Sequence, residues 1–100
     1  MKITNENIIG KTILLGMTYL DKEENVLNRT QFCGTVVRAN DQEIVIEKDK
    51  EEFYLPPDLS SIRVAPEGEY KLRSTGEIIV NPNLLTTWTV RVNESNEQSS

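Results

Sequence analysis

The sequence holds few side chains of the kinds that perform catalysis or bind transition metals. It contains no histidine and a single cysteine, Cys33. Histidine is the commonest general base near neutral pH and the commonest metal ligand. Cys33 lies close to Phe32 and Val36, and a cysteine in such surroundings behaves as a small hydrophobic side chain. No glycine-rich phosphate-binding loop is present. We therefore predict a chain that is not an enzyme and that has no catalytic, cofactor-binding or metal-binding residues.

Acidic residues concentrate in one stretch, at Glu43, Glu47, Asp49, Glu51 and Glu52. Neighbouring carboxylates can bind a cation or exchange protons. A calcium loop, however, requires a fixed ligand spacing with a glycine at its sharp turn, and this stretch has neither. The pattern favours a solvated hairpin, because charge runs usually mark exposed faces.

Four aromatic residues could form a platform for a ligand: Tyr19, Tyr54, Tyr70 and Trp88. Such platforms hold proline-rich peptides or stack the bases of single-stranded nucleic acid. Trp88 falls on the apolar face of its strand, which favours packing in the core. Tyr54 alternates out of phase with the two apolar residues that flank it, so exposure is one prediction for it. The alternative is that Tyr54 packs beneath the C-terminal part of the chain, against Trp88.

The predicted partner-binding residues are Tyr54, Glu52, Tyr70 and Arg73. The Pro56-Pro57 pair stiffens the backbone beside Tyr54, so this surface would lose little conformational entropy when a partner binds. Glu52 and its neighbour Glu51 favour a basic partner and repel phosphate. Arg73 could pair with an acidic group of a partner, or it could be an ordinary solvated hairpin residue.

The charge balance bears on the class of partner. Lys and Arg total 11 and Asp and Glu total 16, which gives a net charge of -5. Net negative charge repels the phosphate backbone of nucleic acids and anionic membrane surfaces. The N-terminal residues lack the continuous apolar segment of a signal peptide, and no apolar stretch is long enough to span a bilayer. With one free cysteine, we expect a cytoplasmic protein without a membrane partner.

The distribution of apolar and β-branched residues predicts strands along most of the chain. Gly34 interrupts the second and longest predicted strand, where glycine often marks a bulge or sharp bend. Asp58 is placed to cap a single helical turn. Residues 1–7 are polar and are predicted to be loose, and residues 93–100 contain no apolar residue and are predicted to form a disordered tail. The predicted strands are Lys11–Leu20, Val26–Ala39, Glu43–Lys48, Phe53–Leu55, Ile62–Val64, Glu69–Arg73, Glu77–Val80 and Leu84–Val92.

The order of these elements over residues 10–66 resembles that of an SH3-like small barrel, in which five strands bend around one core and a helical turn precedes the fifth. The chain also resembles a family of short, functionally uncharacterised bacterial proteins. That likeness implies a bacterial origin and a small barrel with a C-terminal extension, and it brings no activity. The stretches that carry it are Gly34–Val37, Leu55–Leu59, Gly68–Glu77 and Asn81–Trp88.

These observations together predict one all-β domain over residues 1–92. Its parts are an SH3-like barrel of about five strands over about residues 8–66, with one helical turn, and a C-terminal β extension over about residues 67–92. The leading functional hypothesis is a non-catalytic module that binds a protein partner as an adaptor, a regulator or an immunity-type protein. A nucleic-acid-binding small barrel is the alternative and an enzyme of unknown type is third. The sequence leaves the oligomeric state open.

Overall fold

Strands make up most of the chain in this computed structural model, which describes residues 2–73 and 75–92. The predicted all-β class is confirmed. The tail predicted at residues 93–100 lies outside the described residues. The elements in chain order are α1 (Asn5–Ile8), β1 (Thr12–Leu20), β2 (Val26–Ala39), β3 (Ile44–Lys48), β4 (Glu51–Leu55), a 3-10 turn (Leu59–Ser61), β5 (Ile62–Val64), β6 (Glu69–Lys71), β7 (Ile78–Val80) and β8 (Leu84–Arg91).

Six strands form one sheet in the order β4-β3-β2-β1-β8-β5, and β6 and β7 form a separate hairpin. The sheet is open, with β4 and β5 at its edges. All of its neighbouring strands are antiparallel except β1 and β8, which are parallel. The structure therefore shows no closed barrel among the described residues. The sequence-based expectation had placed the last strand in an extension outside a five-stranded barrel, whereas β8 lies inside the sheet.

The length of β8 explains why it, and not β5, lies beside β1. Residues of β8 pair with β1 from Ile13 opposite Leu84 to Leu20 opposite Arg91. The strand β5 has only three residues, so it could bond to only a few of the backbone groups along that edge of β1. It pairs instead with the outer side of β8. Asn83 fixes the start of β8, because its Oδ1 accepts from the backbone N–H of Thr12 at 3.0 Å and its own N–H donates to the Thr12 hydroxyl.

The main core covers one face of the sheet at the end near the start of β1. Side chains from α1, all six strands of the sheet and the 3-10 turn meet there. Burial of this apolar area supplies the main driving force for folding. The buried members are Ile8, Ile13, Leu15, Val36, Ala39, Ile44, Ile46, Leu55, Ile62 and Leu84, with Ile3, Met17, Phe32, Leu59 and Trp88 partly buried against them.

The long strand β2 changes partners at Thr35, directly after the glycine at which the sequence predicted a bulge or sharp bend. Up to Thr35 it pairs with β1, and from Thr35 onward it pairs with β3. A side chain at position 34 would have no room, since a Cβ there would lie 2.6 Å from Ile46 Cγ2 and 2.7 Å from the carbonyl oxygen of Glu47. The register shift of this ladder falls three residues later, where Val37 has no partner on β3.

The opposite face is buried as well near the same end of the sheet. Leu14 and Val45 point away from the main core, yet both are buried. Alternation with the core residues Ile44 and Ile46 places Val45 on the other face of β3. It is fully buried because Arg38 and Tyr54 flank it on the neighbouring strands. Leu72, between β6 and β7, is also fully buried.

Two short helical segments are fixed by capping side chains. The hydroxyl of Thr4 accepts from the backbone N–H of Asn7 and begins α1, a turn that the polar N-terminal residues did not predict. The predicted cap at Asp58 is confirmed, since its carboxylate accepts from the N–H of Ser60 at 3.0 Å. Such a bond satisfies one of the free amides at the start of a helical turn.

Candidate functional site

An open groove continues the core face of the sheet towards the far ends of β1 and β2. Its volume is about 370 Å³, and most of its lining is apolar. The groove lies between β1 and β2 on one side and the edge strand β4 on the other. We call it the apolar groove, and its lining residues are Leu15, Met17, Tyr19, Thr30, Phe32, Phe53, Tyr54 and Leu55.

The groove exists because the core ends before the strands do. Met17 and Phe32 are only partly buried against the core, and Tyr19 lies one position further along the same face of β1. The rings of Phe32 and Phe53 have centroids 4.5 Å apart and a tilt of 38° between their planes. This contact forms one wall of the groove. Alternation in the sequence assigns Met17 and Phe32 to the core face but does not reveal where the core stops, so sequence reasoning missed the groove.

Tyr54 is exposed, which is one of the two outcomes that the sequence left open. Its side chain is 58% accessible, and its hydroxyl donates to Oε1 of Glu52 at 2.8 Å. This hydrogen bond, together with the negative charge of Glu52, raises the pKa of Tyr54. Trp88 packs against the core instead, and its buried Nε1–H has no hydrogen-bond partner among the described residues.

The edge strand β4 and the adjoining end of β3 carry carboxylates that form no ion pair among the described residues. Glu47, Glu51 and Glu52 are exposed, and none of them forms an ion pair with a Lys or Arg of the described chain. The bases nearby are paired elsewhere. Lys48, opposite Glu51 in the ladder, pairs with Asp49 and Glu77. Arg38 Nε donates to Glu43 at 2.9 Å, and this bond raises the pKa of Arg38. The groove rim is therefore negatively charged on the side of β4.

The other two predicted partner-binding residues do not join Tyr54 and Glu52. Tyr70 is half-buried in β6, and its hydroxyl donates to the carbonyl oxygen of Pro66 at 2.6 Å. Arg73 donates its backbone N–H to Oε1 of Gln31 at 2.8 Å. Gln31 lies on the sheet face opposite the apolar groove, because it is adjacent to Phe32 on β2. The four residues thus fall into two separate regions.

Cys33 has the character of a structural residue. It is half-buried, and burial followed by the charge of Glu77 raises its pKa. A raised pKa reduces the thiolate fraction on which nucleophilic reactivity depends. Among residues 2–73 and 75–92, no group of three or more His, Cys, Asp or Glu side chains is arranged to hold a metal ion. Within the same ranges, the helices are too short to cross a bilayer.

Comparisons with protein-family models, with curated proteins and with solved structures find no match to this chain. The family resemblance of its sequence therefore stays a prediction. The apolar groove and the strand edge beside it are the features from which a function is inferred.

Proposed function

We propose that this chain is a non-catalytic protein-binding module that holds an extended peptide segment of its partner along β4. The observation that carries the proposal is the position of the apolar groove directly beside a free strand edge. The proposal also includes a relationship between this fold and SH3-like small barrels. Two features support it: β2 passes from β1 to β3 beside Gly34, and a 3-10 turn precedes β5, as in the element order of such a barrel.

The edge of β4 supplies backbone groups for binding. Among the described strands β4 pairs only with β3, so its outward N–H and C=O groups lack a strand partner. An extended peptide can add to such an edge and gain main-chain hydrogen bonds, while alternate side chains enter pockets and give specificity.

Alternation along β4 defines the side chains that suit such a peptide. Phe53 and Leu55 point into the apolar groove, whereas Glu52 and Tyr54 point to the other side of the strand, from which Tyr54 still borders the groove. Every second residue of an added strand would contact the groove, and the residues between would lie beside Glu52. The favoured partner segment therefore alternates apolar residues with Lys or Arg.

Charge argues against the other occupants of this edge. A second copy of the chain, paired β4 to β4, would add its own Glu51 and Glu52 to an edge that is already acidic, and it would supply no basic residue of β4 to offset them. A nucleic-acid strand would meet the same carboxylates with its phosphates. A basic protein segment can use both the free edge of β4 and its carboxylates. Complementary charge speeds the association of such a segment and fixes its register.

Selection from a library of random peptides displayed on phage tests the proposal. We expect enriched peptides to alternate apolar and basic residues, to lose binding to Phe53→Ser and Tyr54→Ala, and to bind Ile78→Ser normally. Ile78 is a matched control, because it is an exposed apolar residue of β7 outside the groove. Absence of enrichment, or equal binding to all three variants, contradicts the proposal.

A further inference from the structure

A second groove lies on the opposite face of the sheet, and most of its lining residues have polar side chains, two of them arginines. Its volume is also about 370 Å³. None of its lining residues is acidic, although the chain as a whole carries a net charge of -5. We call it the polar groove, and its lining residues are Gly16, Met17, Thr18, Arg29, Thr30, Gln31, Arg73 and Thr87.

Strand register explains the shape of the polar groove. Gly16 on β1 lies between Gln31 on β2 and Thr87 on β8. Because Gly16 has no side chain, the sheet has a hollow at this position. The next pair on the same face is Thr18 opposite Arg29, about 7 Å further along the strands. Arg29 therefore stands at one end of the hollow.

Arg73 reaches the same hollow from the segment that carries β6 and β7. Its backbone N–H donates to Oε1 of Gln31 at 2.8 Å. The adjacent Leu72 is fully buried, which fixes this segment on the sheet. The side chains of Arg29 and Arg73 are both exposed and both line the groove. Two arginines from different elements thus line one hollow.

Neither of these arginines is neutralised within the described chain. Its ion pairs use other bases: Arg38 with Glu43, Lys48 with Asp49 and Glu77, and Arg91 with Glu24. Two cations that share one groove repel each other, and an anion between them removes that repulsion. A guanidinium presents a fixed fork of N–H donors that matches the oxygens of phosphate, and hydroxyl groups such as those of Thr18 and Thr87 can donate as well.

We propose that the polar groove binds a phosphate-type dianion between Arg29 and Arg73. This site is distinct from the apolar groove, since it lies on the other face, uses none of the residues of β4 and shares only Met17 and Thr30 with that groove. Both free phosphate and a phosphate monoester on a larger molecule present such a doubly charged group. The proposal concerns binding alone and involves no covalent step.

Titrations followed by amide chemical shifts test this proposal on the full chain in phosphate-free, low-salt buffer. The probes are inorganic phosphate, phosphoserine and acetate. We expect saturable shifts at Gly16, Thr18 and Thr87 with both phosphates and much weaker effects with acetate. Tighter binding of phosphoserine than of phosphate identifies an esterified ligand, and the reverse identifies the free anion.

Arg29→Gln and Arg73→Gln should each weaken phosphate binding about tenfold or more, because each change removes a charge-assisted hydrogen bond to the anion. Arg63→Gln is the control, since Arg63 is an exposed base of β5 that does not line the groove. Unchanged amide spectra away from the groove show that the variants are folded. Absent shifts, equal affinity for acetate, or an equal loss in all three variants overturns the proposal.

Discussion

The rings of Phe32 and Phe53 are in contact although their strands are not neighbours in the sheet. Phe53 pairs with Ile46, which pairs with Val36, four residues beyond Phe32. In a flat sheet two strand spacings and four residues would separate the two Cα atoms by about 16 Å. The ring centroids are 4.5 Å apart. The sheet is therefore strongly bent between β2 and β4. This bend brings Phe53 against Phe32 and so forms one wall of the apolar groove.

Gly34 is the residue that permits this close approach, so Gly34→Val should destabilise the fold by about 1–3 kcal/mol or more. The added side chain would collide with the backbone of β3 at Glu47, which cannot move without breaking the ladder. Denaturant unfolding measures the effect. Gly16→Ala is the control, because its Cβ would lie 3.4 Å from Thr87 Cγ2 and should change the free energy of unfolding by less than about 1 kcal/mol. A near-neutral Gly34→Val would mean that β3 does not approach β2 here.

Tyr54→Ala should leave the thermal unfolding midpoint nearly unchanged, since exposed side chains contribute little to stability and Tyr54 is mostly exposed. Leu15→Ala provides the contrast. Leu15 lines the same groove but is fully buried, and its truncation should cost about 2–5 kcal/mol. If Tyr54→Ala lost as much stability as Leu15→Ala, Tyr54 would be a packing residue and not a contact residue.

The titration of Tyr54 should report its bond to Glu52. The carboxylate accepts from the neutral phenol and its charge disfavours the phenolate, so both effects raise the pKa of Tyr54. Glu52→Gln removes the charge and should lower the pKa of Tyr54. Ring carbon shifts followed by NMR distinguish Tyr54 from Tyr19 and Tyr70. A pKa unchanged by Glu52→Gln would show that the two side chains are apart in solution.

Because of Asp21, the free energy of unfolding should depend on pH in the acid range. Its carboxylate accepts from the backbone N–H groups of Asn25 at 2.8 Å and Glu23 at 2.9 Å. The backbone bond from Asn25 is the main reason that the pKa of Asp21 is lowered, and desolvation opposes it. The lowered pKa means that the folded state favours the charged form. Its contribution to stability is therefore present above the ordinary pKa of about 3.9 and is lost as the pH falls below it.

The measurement for Asp21 is the free energy of unfolding of the wild type and of Asp21→Asn across acid and neutral pH. The difference between them should be constant above pH of about 5 and should shrink below about 4. Asp41→Asn, at an exposed position of another turn, should give a smaller difference throughout. A difference for Asp21→Asn that does not depend on pH would contradict this prediction.

Local patterns in the sequence were enough for most of the strands and for the cap at Asp58. Strand alternation is visible within β1 and β3, and capping depends on a side chain and an amide only two residues apart. The place of β8 was not predictable in this way. Its pairing with β1 joins residues 71 positions apart, such as Thr12 and Asn83, and no local pattern records which distant strand is the partner.

The candidate sites were predictable only in part. Alternation indicated the exposure of Tyr54, and composition indicated the acidic rim around Glu52. The two grooves depend on where the core ends and on how the β6–β7 segment lies across Gln31. These features depend on tertiary structure. No local pattern in the sequence therefore indicated that Arg29 and Arg73 line the same groove.

The parallel pairing of β1 and β8 also affects how the chain folds. The antiparallel strands β1 to β4 follow one another and can pair through short turns as soon as they are synthesised. β1 acquires its second neighbour only when residues 84–91 arrive, because β8 is the strand that covers that side. Closing such a long loop is slow relative to hairpin formation. A nascent chain therefore exposes an unpaired β1 edge for a time, and chaperones or other nascent chains could bind it during that interval.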